Sequence, residues 1–227
     1  MINLITSFYI SRFNSELNND RNNELQQCLK NNVENDFIEK IHLYVDDDEA
    51  VDCIKNMNNN AKINIISVGF KPLYSDLFSY ALNNLQNKTC MIANSDIYLH
   101  ELDARLLSIL NDNATVFALT RHEHDFTSPM IDDFCGSHDC FIFKSPLNFH
   151  DRIENIKHVQ HHWGSENIVL YELSKNNIKL YNPCHQIKIV HLHKSNLREA
   201  HRPRINYGSN ISARNHATLS PIVFKFQ

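Results

Sequence analysis

Residues 90–99 read CMIANSDIYL, and the fold turns on how that stretch is parsed. Cys90 to Ala93 is a short continuous apolar run of the kind that fills a strand buried on both faces, and the polar triplet Asn94-Ser95-Asp96 stops it. The two-residue spacing points an amide and a carboxylate to the same side of the chain. Such a pair can hold a divalent metal on a diphosphate, because magnesium and manganese take oxygen ligands and share them with phosphate. Taken alone, the triplet reads more readily as an Asx turn closing the strand.

Toward the amino terminus, Ile2 to Ile10 predicts a buried strand, and Ser11 to Asn14 lead into a helix with Leu25, Cys28, Leu29 and Val33 on one face. Ile38 to Val45 predicts a second strand. Its end is marked by Asp46, Asp47, Asp48 and Glu49, the last of which cap a short helix reaching Met57. A third strand, Ile63 to Val68, breaks at Gly69; Pro72 suits a helix start, and Tyr74, Leu77, Phe78, Ala81 and Leu85 make one helical stripe. Toward the carboxyl terminus the pattern predicts a helix around Leu102 to Leu110 and a strand from Val116 to Leu119. A strand over Cys140 to Phe143, a helix over Ser165 to Ser174, and strands over Ile178 to Tyr181 and Ile187 to His193 follow. Apolar strands alternating with helices predict an α/β domain, its central sheet mostly parallel and covered on both faces. Residues 196–227, with Arg198, Arg202, Arg204 and Arg214 and little periodicity, read as a tail packed on that domain.

A chain of 227 residues, 42% hydrophobic, can bury one sizeable core, and a net charge of −4 excludes the basic footprint of a general nucleic-acid binder. No apolar run is long enough to span a bilayer, so a soluble, cytoplasmic protein is expected. Six cysteines without a CxxC pair read as buried free thiols, not as a disulfide frame or zinc ribbon. There is no GxGxxG and no GxxxxGK[ST], which leaves the common dinucleotide fold and the P-loop without support.

Ligands of open α/β sheets collect at the carboxyl ends of the strands. The polar residues there are Thr6, Ser7, Arg12, Asp46, Lys71, Asn94 and Asp96, and Arg121 follows the next strand as a further cation for phosphate. His191 and His193 alternate in the last strand and so share a face, where they could ligate a metal given a third group. His158, His161, His162 and Trp163 are a second metal signal, since His158 and His162 would meet on a helix; Gly164 argues against that helix. Glu166 follows Gly164-Ser165. With Ser165 as N-cap, the helix dipole is expected to keep Glu166 ionised, so that it could take a proton from a hydroxyl.

CMIANSDIYL, ALTRHEHD, GSHDCFIFKSP, HWGSENIVLYEL and NPCHQIKIVHLHKS with Arg198, in that order, resemble the motif series of GT-A fold glycosyltransferases, in particular GT-A-like proteins of large DNA viruses and bacteria. The likeness covers most of residues 1–200. It implies one GT-A-like (Rossmann-like) domain over 1–195, with a nucleotide-binding half at 1–96 and an acceptor-binding half at 97–195. It implies transfer of a sugar, of hexosyltransferase type, from a nucleotide-sugar donor, UDP-sugar favoured, to a hydroxyl of a glycan or other acceptor. Inversion and assistance by Mn2+ or Mg2+ are expected, in a host cytoplasm or virion if the protein is viral. On this reading Thr6, Phe8, Arg12, Asp46, Lys71, Tyr74, Asn94, Ser95, Asp96 and Arg121 bind the donor. Asp96 with His193 or His191 holds the metal, Glu166 is the base with Asp139 as its rival, and Asp139, Trp163 and Asn167 face the acceptor. Asn94 departs from the better-known motif, which has an aspartate there, so Asn94→Asp is expected to tighten metal binding. The alternatives are a metal-dependent hydrolase built on the histidines and Asp139, and a domain that binds a nucleotide or glycan without turnover.

Overall fold

The structure, a computed structural model, describes residues 1–12, 15–57, 61–123, 137–160, 162–195, 197, 205 and 217–226. The elements run β1 (Ile2–Phe8), α1 (Ser15–Glu34), β2 (Ile38–Val45), α2 (Asp48–Asn56), β3 (Ile63–Ser67), α3 (Tyr74–Asn84), β4 (Thr89–Ala93) and β5 (Ile97–Leu102). After a 3-10 helix at Ala104–Asp112 come β6 (Thr115–Leu119), β7 (His122–Glu123) and β8 (Cys140–Lys144), then a second 3-10 helix at His150–Ile156, α4 (Ser165–Ser174), β9 (Lys179–Tyr181) and β10 (Ile187–His191).

Seven strands form one sheet in the order β3-β2-β1-β4-β8-β6-β9. All its pairings are parallel except those of β8, which runs against both β4 and β6. The central strands are apolar throughout because both faces are covered. Leu4, Met91, Ile142 and Phe117 point into the core under α1 and α2, while Ile5, Ile92, Phe141 and Val116 point into the core under α3 and α4. In the second core Phe78 stacks on Phe143 at 5.4 Å with rings nearly parallel, and each fully buried ring is worth about 1.5–3 kcal/mol.

A small second sheet, β5-β10-β7, adds what the helical reading of Leu102 to Leu110 missed. Ile97, Leu99 and Leu102 are buried while His100 and Glu101 are exposed, and this alternation pairs β5 antiparallel with β10. The helical stretch that follows is of 3-10 type, its first turn closed by the Asp103 carboxylate on Arg105 N. β10 stops at His191 because the next amide, Leu192 N, donates to Asp96 O instead of a neighbouring strand. His193 is therefore delivered by a turn, not by the strand.

Two further expectations change. Ser165 is not the cap of α4: Gly164 is, at φ 94°, where a side chain would be strained, and Ser165 Oγ donates back to Val159 O. No helix forms over 157–160 and 162–164, so the His158 to His162 pairing does not arise; His158 is buried, and His161 lies outside the described residues. Among the described residues no helix is long and apolar enough to cross a membrane.

Candidate active site

The carboxyl ends of β1, β2 and β4, the end of β10 and the loop before α4 surround a cleft of about 400 Å3. On one wall the NSD turn delivers Asp96, which is 4% exposed. Its Oδ2 meets the Arg21 guanidinium at 2.6 Å, His191 Nε2 at 3.3 Å and His193 Nδ1 at 3.8 Å. His191 turns its other nitrogen to Glu123 Oε2 at 3.1 Å, and His193 Nε2 lies 3.1 Å from Leu197 O. Each ring thus has one nitrogen held by an outer acceptor and the other aimed at Asp96, the arrangement that orients metal-ligating histidines. Ligand atoms of Asp96, His191 and His193 all lie within 4.8 Å of one another, the one such group among the described residues.

Burial alone would lower the His191 pKa, but Asp96 and then Glu123 outweigh it and push it up to about 9. The His191 hydrogen bond in turn holds Glu123 down at about 2. Arg21 stays charged despite burial because Asp96 faces it. Its remaining contacts, Glu24 at 3.2 Å, Leu192 O at 3.3 Å and Tyr9 at 3.4 Å, bolt α1 to the ends of β1 and β10.

The opposite wall is built on Asn94. Its Nδ2 donates to Asp139 Oδ1 and to Glu166 Oε1, both at 3.2 Å, and its Oδ1 accepts from the Tyr74 hydroxyl at 2.9 Å. Arg121 grips both oxygens of Asp139 at 3.0 and 3.2 Å and reaches Glu123 Oε1 at 3.1 Å, so one guanidinium links the two walls. Burial, then the nearby Asp139 carboxylate, pushes the Glu166 pKa up to about 7. Against the helix dipole, which favours the ionised form, desolvation and a like charge push the other way.

Phe8, Arg12, Asp46, Lys71, Asn94, Asp96, Arg121, Asp139, Trp163, Glu166, His191 and His193 line the cleft. Arg12 sits at the rim, paired with Asp47 and Glu49. Asp46 Oδ1 is buried with no hydrogen-bond partner among the described residues. Trp163 presents a ring that is 57% exposed. Arg121, expected as a cation for phosphate, lines the cleft while paired with Glu123 and Asp139.

Four expected contacts are not on the cleft surface. Thr6 donates to Ala93 O at 2.9 Å beneath it, Tyr74 is wholly buried, and Ser95 is buried within its turn. Asn167 points away and donates to Ala217 O at 2.7 Å, because the residue after Glu166 on a helix leaves on another side. The sequence reading passed over Arg21, Glu123 and Gln160, and named His162 only for a helical metal pair that does not form, whereas it lines the cleft. Arg21 left one trace: it falls on the face of α1 that carries Leu25 and Cys28, where a charge needs a buried partner. Gln160 left none, and is placed by Ser7 Oγ at 2.9 Å and Ala93 O at 2.9 Å.

No family model matches the sequence, and no curated protein matches it. Solved structures do. TarS of S. aureus, residues 1–349, aligns with a TM-score of 0.55 at 10% identity over 84% of this chain and 60% of that one. The mannosyltransferase PcManGT of Pyrobaculum calidifontis, in complex with GDP-Man and Mn2+, aligns at 0.52 and 10% identity over 84% and 56%. GalNAc-T7 with UDP, GalNAc and Mn2+ aligns at 0.53 and 10% identity over 95% and 47%. This chain thus spans about half to three-fifths of the length of these proteins. The likeness shows the fold: a mixed α/β domain of the GT-A glycosyltransferase type.

Proposed function

We propose that this chain is a nucleotide-sugar glycosyltransferase whose donor sits against Asp96 and whose acceptor hydroxyl is deprotonated by Glu166. The observation that carries the reading is the pairing, across one cleft at the carboxyl ends of the strands, of a carboxylate-plus-two-histidine group with a glutamate whose pKa stands near neutrality. The fold agrees, since the solved neighbours hold UDP-GlcNAc, GDP-Man and UDP. One carboxylate and two imidazoles fit manganese better than magnesium, which prefers an all-oxygen shell. When bound, such an ion neutralises charge developing on the leaving diphosphate.

The chain's own residues do the rest. Asp46 offers an acceptor to a ribose hydroxyl or a base N–H, which would satisfy its unpartnered oxygen. Lys71 stands at the rim for phosphate, and Trp163 gives an aromatic wall for the apolar face of an acceptor sugar. In the transfer the acceptor oxygen forms a bond to the anomeric carbon, its proton passes to a Glu166 oxygen, and the bond to the diphosphate breaks with its electrons leaving on phosphate. That single displacement inverts the anomeric centre. A pKa near 7 suits a base working near neutral pH. Asp139 is poorer in this role because both its oxygens are bound by Arg121, so it orients Asn94 and the acceptor side.

Incubation of the wild-type chain with Mn2+, a panel of UDP- and GDP-sugars and glycan acceptors should release nucleoside diphosphate in step with a new glycoside of inverted configuration. Nucleotide binding without turnover would instead favour a binding domain, and phosphate release without a glycoside a hydrolase.

A further inference from the structure

We propose that the carboxyl-terminal segment 217–226 fixes the acceptor-side charges of the cleft, acting through buried positioning residues that are the sequence neighbours of Arg121, Asp139 and Glu166. The proposal rests on the glycosyltransferase reading for its kinetic consequence but not for its geometry. Asn167, next to Glu166, donates its amide to Ala217 O at 2.7 Å. His138, next to Asp139, accepts Leu219 N–H on Nε2 at 3.1 Å, while its Nδ1 lies 3.2 Å from Ala118 O. Thr120, next to Arg121, is held by Asn182 twice, N to Oδ1 at 3.1 Å and Oγ1 to Nδ2 at 2.9 Å. The same Asn182 side-chain amide donates to Leu219 O at 3.0 Å, and the main-chain carbonyl of Asn182 accepts Ile222 N–H at 3.0 Å.

Asn167, His138, Thr120 and Asn182 are each no more than 5% exposed. Neighbours at the end of a strand point to opposite sides, so a segment behind the cleft holds His138 directly and Thr120 through Asn182 while Arg121 and Asp139 face the cleft. Downstream the segment is anchored by Phe224, whose ring lies 5.3 Å from Tyr181 and 6.0 Å from Phe117, and whose backbone pairs with Gln186 at 2.7 and 3.0 Å. None of these contacts involves Asp96, His191 or His193. Burial keeps His138 neutral, its pKa lowered to about 4, so it can accept the Leu219 amide throughout the working pH range.

The test uses two full-length variants, Leu219→Pro, which deletes the amide hydrogen on His138, and Asn167→Ala, which deletes the donor to Ala217. Carboxyl 13C NMR, assigned with Glu166→Gln, reads the midpoint at which Glu166 titrates; calorimetry with UDP or GDP plus Mn2+ reads the donor side. Both variants should lower the Glu166 midpoint by at least one pH unit toward the ordinary value of 4.5. They should also slow transfer on the order of 10- to 100-fold while nucleotide affinity changes less than about threefold. A general loss of stability would move neither the midpoint nor the ratio of the two effects. An unchanged midpoint in the folded variants, or an equal loss of nucleotide binding, overturns the proposal; if Leu219→Pro does not fold, Asn167→Ala decides. Should the wild type neither bind nor transfer, the glycosyltransferase reading falls, and the NMR midpoint still judges the segment.

Discussion

Asp96 and Glu166 are carboxylates on opposite walls of one cleft, and their surroundings could hardly differ more. Asp96 is faced by a guanidinium and two imidazoles. Glu166 is faced by an amide, a phenol and a second carboxylate. The first environment keeps its carboxylate ionised; the second opposes ionisation and leaves a proton poised to move. What separates the two carboxylates is the sign of their neighbours, not the type of residue.

The strongest way to break that contrast is Glu166→Gln. It should cut transfer about 10²- to 10⁴-fold, the usual share of a general base, while calorimetry finds nucleoside diphosphate bound as before. If Asp139→Asn abolishes transfer and Glu166→Gln does not, the base is Asp139. On the other wall, Asp96→Ala should abolish metal-dependent nucleotide binding. It should also lower stability by about 1.5–3 kcal/mol, because it removes one of the two buried carboxylates paired with Arg21 and leaves Glu24 alone; equal affinity with and without Mn2+ in both proteins would remove the metal assignment.

The pH dependence sharpens the same comparison. With Glu166 as the proposed base, transfer requires its ionised form, so the rate should fall about tenfold per unit as pH drops below about 7. The stability effect has the opposite direction. Because the folded pKa lies above the ordinary 4.5, the native state holds an extra proton between those values, and this contribution, present below about 4.5, is lost as pH rises through about 7. Glu166→Gln should therefore raise the melting temperature relative to wild type at pH 8 and change it little at pH 4. A capping role predicts instead a small loss, about 1 kcal/mol or less, at every pH.

Asn94→Asp is expected from the motif to tighten metal binding, and the structure attaches a cost to it on the other wall. The Asn94 amide is the donor shared by Asp139 and Glu166. A third carboxylate there would leave two acceptors without their hydrogen and raise the Glu166 pKa further. A cost of about 1–3 kcal/mol in stability and a slower rate at pH 7 are expected; a faster, more metal-responsive enzyme would show that the two walls are less distinct than drawn. The smallest effect concerns the thiols. Cys28, Cys90, Cys140 and Cys184 are buried and Cys53 is only half-buried, with burial raising the thiol pKa at each of them. Native-state labelling followed by mass spectrometry should modify Cys53 before the other four; Cys135 lies outside the described residues.

The alternation of strands and helices was legible because it is written in local periodicity. Ile38 to Val45 and Ser165 to Ser174 match their elements residue for residue, and the polar ends of β1, β2 and β4 do open on the cleft. The strand β5 was misread where Ile97, Leu99 and Leu102 alternate only briefly before a 3-10 helix. By itself the sequence determined most of the elements and which strand ends open on the cleft. Only the tertiary structure decided that Arg21 meets Asp96 across 75 residues, that Asn94 reaches Glu166 across 72, and that Asn167 turns to the carboxyl-terminal segment instead of the cleft. The protonation of Glu166 belongs to the same class, because a pKa is set by burial and by charges that distant segments bring within a few ångströms, and no window of sequence contains them.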